Sequence, residues 1–387
     1  MRVKNLKIRK IFASNSKPTI EIELTTEKGV VKASVPFGTS RGKHEVKFLP
    51  VEKAIKKFHV IKSLFISQDF SDQKDVDETL HIIDKTPDFR EIGGNLALAI
   101  SAAFLKAFAL ENDKEVFEFL GGKTISKPIC NVAGGWKGQS DIQEFLLLPV
   151  HQESFLDSIS NISSAYLKVG EILKREDPTF RFGKNWESAW LTSLHFRKIL
   201  EILKKVATER NLKIGLDVAA SQLWDGKYYV YSTGEKLTKT QQIWLMSELL
   251  REYPIIFLED PFDEDDFTSF ATLNAQIKEG RILCGDDLYT TNLKRLKIGL
   301  DFHATNAVLV KPNQIGTITD TINFVKEAKK HRLVTVLSHR SGETDDTLMC
   351  HLAVGLDCDY IKLGISGERI VKINEMIRIE EKVKKSI

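Results

Sequence analysis

The chain has 387 residues, 42% of them hydrophobic and 28% charged, with 56 basic against 53 acidic side chains and a formal charge of +3. That is ordinary globular composition, with length for two domains or for one large barrel and an appendage. A near-balanced charge with scattered basic residues argues against a nucleic-acid or membrane-surface partner.

In chain order, the N-terminus MRVKNLKIRKIF has no apolar run of signal-peptide length. In PTIEIELTT, Ile20, Ile22 and Leu24 alternate with Glu21 and Glu23, which predicts a half-buried strand. A second strand, VVKASVPF, leads into a loop bracketed by Gly38 and Gly42. Helical stretches follow, ending in LALAISAAFLKAFALEN. Its apolar part, Leu96 to Leu110, contains Lys106 and falls short of the ~20 residues a membrane helix needs. The expectation is an α+β domain over 1–125. Gly121-Gly122-Lys123-Thr124 resembles the end of a P-loop, but Phe117 stands where that motif has its first glycine, and the tetrapeptide follows a helix.

The pattern changes after Pro128. From Leu212 onward, short apolar runs alternate with amphipathic helical segments, and each run ends in ionisable residues: LKIGLD, PIIFLED, RILCGDD, NAVLVK, VTVLSHRS and DYIKLG. From Glu259 onward these ends are 27, 25, 28 and 23 residues apart, about one βα unit each. A doubly wound sheet would gather its ligands at one switch point, whereas here nearly every strand end is charged. An α/β fold is expected, with a (β/α) barrel over 126–387. Cys130, Cys284, Cys350 and Cys358 lack metal or redox spacing and suit core positions in a reducing compartment. The expected location is cytoplasmic.

Asp217, Glu259 and Asp286 end three successive predicted strands, and neighbouring barrel strands would bring them to one rim. Converging carboxylates repel unless a cation neutralises them, and an all-oxygen set favours Mg²⁺ over Zn²⁺. Lys311 ends the next strand. A lysine beside a divalent cation has its ammonium form disfavoured and can act as a base. His339-Arg340-Ser341-Gly342 then offers a fixed cation, a hydroxyl and flexible backbone, a combination suited to phosphate.

These segments resemble the enolases. GLDVAAS, FLEDPFDEDD, GDDLYTTN, KPNQIGT and SHRSGETDDT are similar to successive enolase signatures in order and spacing, as are VPFGTSRGKHE, IGGNLALAIS, IQEF and GERIVKINEMIRIEE. The resemblance implies an enolase-type barrel with an N-terminal α+β capping domain and Mg²⁺-dependent interconversion of 2-phosphoglycerate and phosphoenolpyruvate. It makes Asp217, Glu259 and Asp286 ligands of the tighter Mg²⁺ and Lys311 the base at C2. Lys362 would hold the substrate carboxylate, Arg340 and Ser341 the phosphate, with His339 in the same pocket. Gln143 and Glu144 would lie beside the substrate, and Ser40 would reach a second Mg²⁺. A homo-oligomer acting on a small phosphorylated acid is implied, with no nucleic acid or membrane as partner.

The resemblance breaks in places. GKNWESAW aligns so that the acid protonating the departing hydroxyl is Glu187, if two residues are inserted, or so that Asn185 stands there; Glu144 is the alternative acid. Trp136-Lys137 replaces an expected lid histidine. Phe37 and Arg41 are bulky for the first loop, ASNSKPT lacks the usual Asp and Arg, and GISGER is short. Two other readings remain: a lyase for another phosphorylated hydroxy acid, and a non-catalytic enolase-like binding protein.

Overall fold

The computed structural model describes residues 1–39, 41–66, 68–134, 141–151 and 153–385. Strands β1 (Asn5–Phe12), β2 (Pro18–Thr25) and β3 (Val30–Ser34) form an antiparallel meander. The predicted alternation holds in β2, where Ile20, Ile22 and Leu24 are fully buried. Strand β1 carries its charge outward, and Arg9 forks to Glu21 and Glu23 of β2. Helices α1 (Val51–Ile66), α2 (Gln73–Ile83), α3 (Gly94–Glu111) and α4 (Val116–Leu120) cover the sheet. Helix α3 is long and apolar enough to cross a membrane, but 83% of it is buried inside the protein, where it packs on β2 and β3. The tetrapeptide after α4 is structural: the Lys123 and Thr124 N–H groups donate to Asp357, and a Cβ on Gly122 would strike the Val354 carbonyl at 1.9 Å.

The rest of the chain runs β4 (Lys127–Gly134), β5 (Glu144–Pro149), α5 (Phe155–Glu176), β6 (Trp190–Leu191), α6 (Phe196–Glu209), β7 (Leu212–Asp217), β8 (Tyr229–Val230), β9 (Lys236–Leu237), α7 (Lys239–Glu252) and β10 (Ile255–Glu259). It continues with α8 (Phe267–Asn274), β11 (Ile282–Gly285), α9 (Leu293–Phe302), β12 (Ala307–Val310), α10 (Pro312–Ile315), α11 (Ile318–Lys330), β13 (Val334–Ser338), α12 (Leu348–Gly355), β14 (Tyr360–Gly364) and α13 (Ile370–Lys385). The sheet runs β14-β13-β12-β11-β10-β7-β5-β4, and β14 pairs back on β4, closing a barrel and excluding the doubly wound alternative. Its interior is filled by Ile129, Leu146, Leu148, Phe257, Cys284, Leu309 and Val336 from six strands, so it is a packed core rather than a pore. Polar side chains cap the outer helices: Ser154 for α5, Thr238 for α7, Asp266 for α8 and Thr317 for α11.

The parallel βα units expected from Leu212 onward are present in the barrel from β7; the strands before it are arranged differently. Strand β5 is antiparallel to both β4 and β7. Only nine residues separate β4 from β5, fewer than the dozen or so that the crossover of a parallel pair requires. The reversal has a chemical consequence: Glu144 opens β5 yet lies opposite Asp217, the last residue of β7. Both carboxylates therefore reach the same rim.

Candidate active site

One cleft at the C-terminal rim of the parallel strands is lined by Gln143, Glu144, Glu187, Asp217, Asp260, Asp286, Asp287, Lys311, His339, Arg340, Ser341 and Lys362, with Glu259 buried beneath. Eleven of the twelve sequence-predicted site residues thus meet in one place. Ser40 lies outside the described residues, as do Trp136 and Lys137.

Ion pairs organise the floor. Lys362 Nζ sits among three carboxylates, 2.7 Å from Glu259, 2.9 Å from Asp217 and 3.3 Å from Glu144. Burial disfavours its ammonium, but Asp217, Glu144 and Glu259 outweigh that and hold its pKa well above the usual lysine range. Lys311 pairs with Asp286, whose other oxygen accepts from Gln314 at 2.8 Å. Here too burial is outweighed by the anion, so Lys311 is raised and Asp286 lowered. The raised lysine follows from the carboxylate that faces it directly.

At the other end, Glu144, Glu187 and His339 bring one ligand atom each to within 4.8 Å of one another. The two glutamates interact directly. Burial and the neighbouring Glu187 charge push Glu144 well up; Glu187, despite its own burial, is held low by the hydrogen bond with Glu144 and by the Lys362 and Arg369 cations. Asn185 faces away from this pair: its side-chain oxygen accepts the Glu187 and Ala189 N–H groups, both at 3.0 Å, and builds the turn that presents Glu187. Asn131 donates to Glu187 at 3.0 Å and fixes the carboxylate.

Arg340 is buried, bonded to Glu45 at 3.0 Å and Asn313 at 3.2 Å. Ser341 Oγ accepts the Thr39 N–H at 2.8 Å, and Phe37 and Gly342 exchange two 2.9 Å backbone bonds. The first loop is thereby stitched to the Arg340–Ser341 segment. Gln143 donates to Asp217 at 3.4 Å and accepts from Gln222 at 2.7 Å.

Sequence reasoning missed several residues here. Asp260 accepts the Asp286 and Asp287 N–H groups at 2.9 and 2.8 Å, and Asp260, Asp286 and Asp287 form a second set with ligand atoms within 4.8 Å. Their signal was the doubled acids in FLED and GDD. Ala219, Asp260, Thr290 and Thr291 all adopt positive φ, between 41° and 54°, around the carboxylates; such strain concentrates at functional sites. Glu45 and Arg369 lie in strings that resemble the family, but their contacts left no local signal, since their partners come from distant segments.

The donor set fits a divalent cation. Glu259 Oε1 is buried with no hydrogen-bond partner among the described residues. Burial and the surrounding anions hold Glu259, Asp260 and Asp287 well above the usual carboxylate range, so the region is short of positive charge.

Comparison with known proteins agrees with this architecture. Residues 3–120 match the family model for the enolase N-terminal domain, and residues 123–387 that for the enolase C-terminal TIM barrel domain. Across 98% of its length the chain is 37% identical to a protein named enolase from Methanothermobacter thermautotrophicus, spanning 97% of that protein. It is 38% identical to proteins of the same name from Archaeoglobus fulgidus and Picrophilus torridus, spanning 98% and 99% of them. The closed barrel, the sheet-and-helix cap and the near-complete alignment agree: the chain belongs to the enolase family.

Proposed function

We propose that the protein is a phosphopyruvate hydratase that reversibly dehydrates 2-phosphoglycerate to phosphoenolpyruvate with Mg²⁺. The observation that carries this reading is a row of charged groups across one cleft, with Lys311 and Asp286 at one end and the adjacent Glu144–Glu187 pair at the other. Alpha-proton removal and loss of a hydroxyl require a base and an acid that do not neutralise each other. Here Lys311 pairs with Asp286, whereas Glu144 pairs with Lys362, which also holds Asp217 and Glu259.

In this reading Lys311 takes the C2 proton. The second negative charge that develops on the substrate carboxylate meets the Lys362 ammonium, a stabilisation realised mainly in the transition state. Asp217, Glu259 and Asp286 would hold a divalent cation, which supplies further charge stabilisation there and, being bound by hard oxygens, is best met by Mg²⁺. The Glu144–Glu187 pair delivers a proton to the departing C3 hydroxyl, with Glu187 as the group that reaches it. Arg340 and Ser341 bind the phosphate, and Gln143 lines the substrate. The buried free thiols of all four cysteines agree with a reducing, cytoplasmic setting.

The test is ultraviolet detection of phosphoenolpyruvate from 2-phosphoglycerate, with Mg²⁺ and with chelator. Metal-dependent turnover is expected. Tight binding of 2-phosphoglycerate without turnover would instead indicate a binding protein, and turnover of a different phosphorylated hydroxy acid a changed substrate.

A further inference from the structure

Arg369 has the largest side chain that is completely buried, and all three of its nitrogens are engaged. Nε donates to His339 Nδ1 at 3.1 Å. Nη1 donates to Ser14 Oγ at 3.2 Å and to Glu368 at 2.8 Å. Nη2 donates to the carbonyls of Trp186, Arg340 and Ser341, at 3.0, 3.0 and 2.9 Å. One guanidinium therefore ties the turn that carries Glu187 to the segment that carries His339, Arg340 and Ser341.

The first of these bonds has a definite chemical meaning. A guanidinium in a protein stays protonated and offers no acceptor. The nitrogen facing it, His339 Nδ1, must therefore present a lone pair. A ring with an unprotonated Nδ1 is neutral, and its proton sits on Nε2. That atom is buried, has no hydrogen-bond partner among the described residues, and belongs to the ring whose ligand atom lies within 4.8 Å of Glu144 and Glu187 oxygens. Burial and the Arg369 cation both disfavour the imidazolium, in agreement with a neutral ring.

We propose that Arg369 is a positioning residue that locks His339 in the neutral Nε2–H tautomer, making it a one-way hydrogen-bond donor facing the Glu144–Glu187 end of the cleft. In that state His339 cannot take a proton from the substrate. It can donate a hydrogen bond to the oxygen leaving C3 or to the carboxylate of Glu187. This role in catalysis rests on the dehydratase reading above; the tautomer itself does not.

The experiment uses the full chain with ¹⁵N-labelled histidine, in which long-range ¹H–¹⁵N correlations distinguish Nδ1–H from Nε2–H. His339 is assigned by loss of its signals in His339→Gln. The wild-type protein should show Nε2–H alone from pH 6 to 9. Arg369→Met and Arg369→Lys should give a mixture of tautomers. Their kcat should fall about 10–100-fold with KM within about threefold, the size of effect seen when a group orienting a functional histidine is removed. A merely structural arginine would lower the melting temperature and leave both tautomer and kcat in place. Nδ1–H or imidazolium in the wild type, or an unchanged tautomer in both variants, would overturn the proposal. If neither variant folds, the wild-type tautomer decides. If the wild type fails to dehydrate 2-phosphoglycerate yet shows Nε2–H lost on substitution, the activity reading falls and the Arg369 lock stands.

Discussion

Lys311 and Lys362 carry the same charge into the same cleft but stand in different company. Among the described residues Lys311 pairs with one anion, Asp286, whereas Lys362 is ringed by Asp217, Glu259 and Glu144. Removing a buried partner costs more than the pair itself is worth, because the anions left behind remain desolvated. Lys362→Met should therefore destabilise the fold by about 3–5 kcal/mol in chelator. Added Mg²⁺ should recover part of that loss, as read in urea melts with and without metal. Lys311→Ala, with a single anion exposed, should fold better and lose activity: kcat should fall at least about 10³-fold, within the range for loss of a general base. Calorimetry should still find 2-phosphoglycerate binding. The placement of these lysines at the rim was open to sequence reasoning because each lies in or just after an apolar run. Arg369 and Glu45 were not: Glu45 lies 295 residues from Arg340, and nothing near either residue announces the contact.

Two short elements hold Glu187 in place. Asp177, just after α5, accepts hydrogen bonds from both ends of the following loop: Thr179 N–H at 2.9 Å and Oγ1 at 2.6 Å, Thr192 Oγ1 at 2.7 Å, and Ser193 N–H at 2.9 Å and Oγ at 3.0 Å. Burial pushes this carboxyl up, but the hydrogen bonds from Thr179, Thr192 and Ser193 outweigh it and hold it below the usual aspartate range. A depressed folded-state pKa means the stabilisation is fully present above the unfolded value near 4 and fades as pH falls through and below it. Asp177→Asn should cost about 1.5–3 kcal/mol at pH 7 and flatten the acid limb of the stability profile, measured by urea melts between pH 7 and 3. The second element is the end of β14, where a Cβ on Gly364 would meet the Glu187 carbonyl at 2.4 Å and Arg369 Cγ at 2.7 Å. Gly364→Ala should displace the Glu187 turn, costing about 1–3 kcal/mol and most of the activity. Calorimetric melts and the phosphoenolpyruvate assay check the two effects. At this scale the sequence was legible where strand and chemistry share a string, as in PIIFLED. It was opaque at β5, because strand direction depends on how the preceding loop closes rather than on residue pattern. It was opaque also at β1, whose outward charges blur the alternation.

Across the whole molecule, six of the eight barrel strands deliver carboxylates or ammonium groups to one rim, above a packed apolar interior. The carboxylates outnumber the lysines there, so a cation that binds only the folded state should stabilise all of it. At a hundredfold excess over its Kd, Mg²⁺ should add about 2.7 kcal/mol, or a few degrees in melting temperature. Asp286→Asn should abolish that shift in thermal melts run with Mg²⁺ and with chelator. The central claim is a division of labour, with Lys311 moving the C2 proton and Glu187 assisting loss of the C3 hydroxyl. Exchange of the C2 hydrogen of 2-phosphoglycerate with deuterated water, followed in Glu187→Gln and Lys311→Ala, separates the two steps. The account predicts that Glu187→Gln still exchanges hydrogen at C2 while forming no phosphoenolpyruvate, and that Lys311→Ala does neither. Exchange at the wild-type rate in Lys311→Ala, or dehydration at the wild-type rate in Glu187→Gln, would contradict it.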